Sequence, residues 1–129
     1  MLTKEVMAAM CTGLNAVAKE YGAKLSIRKT RNTLRITILS SPIDFHACAL
    51  CNNDKYQLDE HKSTTVNPYY YKKHWSGEAL EMIDKLLKIA FSRELGYYDN
   101  SIPEADYFDT AWYVILRIGD EENEYQVVK

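Results

Sequence analysis

The chain has 129 residues, with a hydrophobic share of 47% and a charged share of 26%, the balance of one globular domain around a single core. No apolar run approaches bilayer-spanning length, the N-terminus lacks the basic-then-apolar layout of a secretory leader, and three cysteines are too few for a disulfide framework. A reducing, cytoplasmic setting is expected. The net charge of −2 conceals a gradient. Residues 1–75 hold eleven Lys/Arg and six Asp/Glu, whereas 76–129 hold five and twelve. Such a bipolar surface suits self-association into a homodimer, or one face offered to a cationic partner.

Thr3 is placed to cap a first helix in which Val6, Met7, Met10, Cys11, Leu14, Val17, Ala18 and Tyr21 recur at three- and four-residue steps, and Gly22 is placed to stop it. A hairpin follows: Leu25 and Ile27 alternate with Lys24, Ser26 and Arg28, and Leu34, Ile36 and Ile38 alternate with Thr33, Arg35 and Thr37, across a Thr30-Arg31-Asn32 turn. Ser41-Pro42 ends the second strand. From Ile43 to about Thr64 no period holds, which predicts a long loop with one short helical turn.

Thr65 to Tyr71 is rich in strand formers but contains Pro68, so it is read as an edge strand or its approach. A strand there would put two rings of Tyr69-Tyr70-Tyr71 on one face and one on the other. Ser76 is placed to cap a second helix, with His74 and Trp75 packing at its start. Ala79, Leu80, Ile83, Leu86, Leu87, Ala90 and Phe91 form the buried stripe of that helix. Ala111 to Ile118, apolar apart from Arg117, predicts a central two-sided strand, and Tyr125 to Val128 a last short one. The expectation is an α+β domain spanning 1–129, with an antiparallel sheet of four to five strands, two helices, and the order α-β-β-(loop)-β-α-β-β.

Between the second helix and that central strand runs the chain's most distinctive segment. Asp99, Glu104, Asp106 and Asp109 are interleaved with Tyr97, Tyr98, Tyr107, Phe108, Trp112 and Tyr113. Rings beside carboxylates suit a docking surface, because rings supply buried area while charges steer a basic partner. Two other groups compete with it. Lys24, Arg28, Lys29, Arg31 and Arg35 gather on the hairpin and could contact phosphates, although no RNP-type aromatic pattern or recognition helix accompanies them. His46, Cys48, Cys51 and His61 are zinc-ligand types at usable spacing, but no second Cys-x-x-Cys completes the set.

The segments NPYYYKKHWSGEALEMIDKLLKIA and YYDNSIPEADYFDTAWYVILRIG resemble the large polyvalent protein-associated domain family, type twenty-nine. SIRKTRNTLRITILSSPIDF is similar to that family's first hairpin. The resemblance runs from about Lys24 to Gly119, with DYFD-x-x-WYV its specific part, and the HACALC loop departs from the pattern. It implies a protein of phages, plasmids or conjugative elements acting against host defence, and carries over no catalytic residue. The functional expectation is a small non-enzymatic protein in a bacterial host cell. It would bind and inhibit or modulate a host protein or nucleoprotein complex, of the anti-CRISPR or antirestriction type, through the acidic and aromatic residues. A nucleic-acid-binding module and a small zinc protein are the alternatives.

Overall fold

The computed structural model describes residues 2–106 and 109–128. An 18-residue helix, α1 (Lys4–Tyr21), opens the fold. The Thr3 side chain accepts from the Val6 amide, and Gly22 ends the helix at φ 65°, as the two terminal signals predict. The hairpin follows as β1 (Lys24–Thr30) and β2 (Thr33–Ser41). Three short helical pieces then occupy the stretch read as a loop: α2 (Phe45–Cys48), α3 (Asn52–Tyr56) and a π-helical turn Gln57–His61. They are too short to show a periodic apolar stripe, which is why sequence periodicity misses them.

β3 (Thr64–Val66) is an edge strand, as Pro68 requires. The tyrosine run does not continue it. Tyr69 and Tyr70 lie in a turn whose amides are both accepted by the Asn67 side chain, and Tyr71 begins the short helix α4 (Tyr71–His74). The long second helix, α5 (Gly77–Ala90), follows Ser76. The Ser76 hydroxyl donates to the Cys48 carbonyl rather than capping α5. β4 (Tyr113–Ile118) and β5 (Gln126–Val127) complete the chain.

The α+β class and the five-stranded sheet agree with the expectation; the strand senses are mixed. β1 pairs β2 and β3 pairs β4 antiparallel, but β2 runs parallel to β4 and then to β5. The order β1-β2-β4-β3 puts β4 in the sheet interior, and β5 joins β2 beyond the end of β4. Parallel neighbours need a long crossover, and residues 42–112, α5 included, supply it. No helix among the described residues is long and apolar enough to cross a membrane.

One face of the sheet is covered. Leu34, Ile36 and Ile38 of β2 and Leu116 and Ile118 of β4 are buried together with Met10 and Leu14 of α1 and Met82, Ile83 and Leu86 of α5. The other face is open: Arg28, Arg35, Tyr113 and Thr65 are exposed, and Thr37, Ile115 and Arg117 only partly covered. β4 is therefore central but not two-sided. Gly119 closes β4 at φ 69°, and its amide donates to the Ile38 carbonyl. A Cβ there would lie 2.7 Å from both the Lys62 carbonyl oxygen and the Tyr125 nitrogen. Left-handed backbone and backbone overlap act together, so Gly119→Ala should destabilise the fold by about 2–5 kcal/mol. Gly96→Ala, at φ 106° with open space around its Cβ, should cost clearly less. Urea unfolding of both variants checks the difference, and equal losses would disprove the overlap.

Candidate functional site

The described residues of the acidic segment form an arm that backbone hydrogen bonds close at its base. Ala111 donates its amide to the Tyr98 carbonyl and Asn100 its amide to the Asp109 carbonyl, with Asp99 and Thr110 bridged between them. The arm turns at the 3-10 segment Pro103–Ala105, where Glu104 and Asp106 are exposed. Asn32 fastens its base to the hairpin turn. The Asn32 side chain donates to the Ala111 carbonyl at 2.8 Å and accepts from the Leu2 amide, while its own carbonyl accepts from the Tyr113 amide.

The expected docking residues divide between surface and interior. Asp99, Glu104 and Asp106 are exposed, as is Tyr98, and Asp109 is half-buried. Trp112 is not a surface ring. It is 1% exposed, donates its indole N–H to the Ala90 carbonyl, and packs edge-on against Tyr97. An apolar ring one residue before β4 is drawn under α5, where its N–H finds a partner. Tyr97 bridges the two environments, with its ring against Phe91 and Trp112 and only partial exposure. Tyr107 lies outside the described residues.

Two further rings join the surface. Burial, then the Asp99 carboxylate, then the phenolate charges of Tyr69 and Tyr113 raise the Tyr97 phenol pKa. Tyr69 is 78% and Tyr113 55% exposed. Tyr113 was legible as an aromatic of this segment, but its outward placement follows only from the register of β4 on β2. Asp99 is held firmly in its charged form: the side chain and amide of Ser101, with help from Thr110, lower its pKa.

The hairpin cations separate as well. Arg28 and Arg35 are cross-strand partners on the open sheet face. Lys24 is exposed at the start of β1, and Arg31 sits in the turn at φ 56°. Lys29 contradicts the reading of one outer cluster. The alternation puts it on the helix side of the sheet, where its ammonium donates to the Leu2 carbonyl. Arg117 of β4 takes its place. Arg28, Arg35 and Arg117 line a groove of about 420 Å³ whose far wall carries Asp120, Glu121 and Glu122. Among the described residues none of these arginines forms an ion pair, and the Arg117 Nε is enclosed without a hydrogen-bond partner.

The four expected zinc ligands are not brought together. His46 pairs with Asp59 at 3.1 Å, His61 packs edge-on against Tyr56, and Cys48 lies beneath Gly77 at the start of α5. Only Cys51 lies in a ligand-type cluster, and its neighbours there are Asp54 and His74. The sequence pattern predicts that His74 packs with Trp75 at the start of α5. Trp75 does pack there, edge-on against Phe45, whereas His74 faces Asp54. No protein-family model matches the chain, and no curated protein or solved structure matches it.

The hydrogen bonds to Asp99 make a testable pH statement. Because its folded pKa is lowered, its contribution to stability is complete above the unfolded carboxylate value and disappears as pH falls through the folded one. An NMR titration should find Asp99 ionising below the ordinary aspartate range, and Ser101→Ala should move it back up. An unchanged midpoint in that variant would rule out the Ser101 hydroxyl as a cause and leave the Ser101 amide.

Proposed function

We propose that the protein is a non-enzymatic binding module that docks on a cationic protein surface through Tyr69, Tyr98 and Tyr113 together with Asp99, Glu104 and Asp106. The observation that carries this reading is the exposure of large rings around the half-buried Tyr97, with the pinned Asp99 carboxylate among them. Exposed tyrosines lose little side-chain entropy when covered and bring both apolar area and a hydroxyl. The hydrogen-bonded base of the arm, at Tyr98–Asn100 and Asp109–Ala111, adds pre-organisation there. The carboxylates accelerate encounter with a positive surface, and the rings supply most of the affinity.

A nucleic-acid-handling complex of the bacterial host is the target class that suits this chemistry, since its basic channels attract acidic surfaces. The family resemblance adds the idea of a mobile-element protein acting against host defence. The test is capture from bacterial lysate with the full chain as bait, followed by affinity measurement on the captured protein. Tyr69→Ala with Tyr113→Ala should weaken binding by roughly thirtyfold or more. Asp99→Asn with Glu104→Gln and Asp106→Asn should slow association and flatten its salt dependence. Binding indifferent to both sets would remove this surface from consideration.

A second reading rests on the unpaired guanidinium groups of Arg28, Arg35 and Arg117 on the open sheet face, with Tyr113 available for base stacking. A single strand of nucleic acid would cross that face, away from the acidic wall at Asp120–Glu122. Mobility-shift titration of a single-stranded oligonucleotide across salt separates the readings. Retardation that strengthens as salt falls, and that Arg28→Ala with Arg35→Ala abolishes, would favour this second reading.

A further inference from the structure

We propose that Cys51, Asp54 and His74 form a zinc site with a fourth position open to a polar cavity beside β3. One ligand-type atom from each residue lies within 4.8 Å of the other two, the one such group of three among the described residues. Thiolate, imidazole and carboxylate are the donors that zinc takes. Around a tetrahedral zinc with bonds of 2.0–2.3 Å, ligand atoms lie roughly 3.3–3.8 Å apart. The cluster brackets that spacing: its three ligand atoms lie within 4.8 Å of one another, and the His74 Nδ1–Asp54 Oδ2 pair is at 2.7 Å.

The backbone builds the site in advance. Leu50 donates its amide to the His74 carbonyl at 2.8 Å, Ser76 donates to the Cys48 carbonyl at 2.9 Å, and Ala49 bridges Trp75 antiparallel. This short ladder sets Cys51 beside His74 although 22 residues separate them. Cys51 is the N-cap residue of α3 and Asp54 lies in that helix's first turn, so residues three apart share one side.

Asp54 is 5% exposed, and its polar contacts are the His74 Nδ1 at 2.7 Å and the Thr64 hydroxyl at 3.4 Å. A carboxylate so enclosed requires strong partners. The Cys51 sulfur has only a 3.9 Å contact with the Lys73 carbonyl, so it is free to turn toward the cluster. Asp54 and His74 line a cavity of about 300 Å³ with Thr65, Asn67 and Arg117. Zinc with one thiolate, one carboxylate and a neutral imidazole is uncharged, so Arg117 in the cavity wall does not oppose it. Three protein ligands and an open position form the pattern of zinc sites that take water or a substrate as the fourth ligand.

The full chain, purified without added metal, should be titrated with Zn²⁺ and, separately, with Co²⁺. One equivalent of either ion is expected, with a cobalt–thiolate charge-transfer band. Cys51→Ser and His74→Ala should each weaken binding beyond the roughly ten- to hundredfold typical of losing a metal's outer-shell partner. Cys48→Ser and His46→Asn should bind as the parent does. Should the ligand variants fail to fold, alkylation mapping of the unaltered chain decides the matter: Zn²⁺ must protect Cys51 while Cys11 and Cys48 stay reactive. An unprotected Cys51, no stoichiometric uptake, or metal lost with Cys48 rather than Cys51 would overturn the proposal.

Discussion

The fold turns on how β4 is seated, and Asn32 is the residue that seats it. One turn residue satisfies three backbone groups from distant parts of the chain: the Leu2 amide, the Ala111 carbonyl and the Tyr113 amide. Hydrogen bonds of this kind contribute only about 1 kcal/mol each in net terms, but leaving such partly buried groups unmet costs more. The constraint also fixes geometry. By tying the hairpin turn to the first residue of β4, it sets the register that pairs Thr33 with Tyr113 and Thr37 with Arg117. A slip of one residue would send Tyr113 and Arg117 to the core and Leu116 to solvent.

From that register the character of each surface follows. The covered face of the sheet is apolar throughout, held under α1 and α5. On the open face the same alternation sets Arg28 and Arg35 level with Ile115, Arg117 two residues further along β4 opposite Thr37, and Tyr113 nearer the hairpin turn. The acidic arm leaves the sheet immediately before Tyr113, so carboxylates and rings meet at that end. Positive and negative groups thus stand close together on a small domain, with Arg28, Arg35 and Arg117 sharing one groove with Asp120, Glu121 and Glu122. A partner with mixed charge can be oriented by such a surface as well as held by it.

The small helices between β2 and β3 serve a different end. They wrap the sheet edge at β3, bury Leu58 and Asp54, and bring Cys51 to face His74. Their sequence carries no amphipathic period because each is about one turn long; tertiary contacts hold them in place rather than helical propensity. Phe45 illustrates this, with its ring edge-on to both Trp75 and Tyr125, residues far away along the chain.

Local signals in the sequence determined the two long helices, the end residues of α1, the hairpin and the place of β4, since capping, periodicity and alternation act within a few residues. They also marked the acidic aromatic segment, because composition is local by nature. They misplaced Trp112 and Lys29, and grouped His46, Cys48, Cys51 and His61, which the fold keeps apart, for a common reason. Whether a ring is covered, which face a lysine takes, and which histidine meets a cysteine depend on partners tens of residues away. Trp112 lies beneath Ala90, Lys29 reaches Leu2, and His74 reaches Asp54. Those long-range pairings were decided by the tertiary structure alone, through strand register and the packing of helices on one face of the sheet.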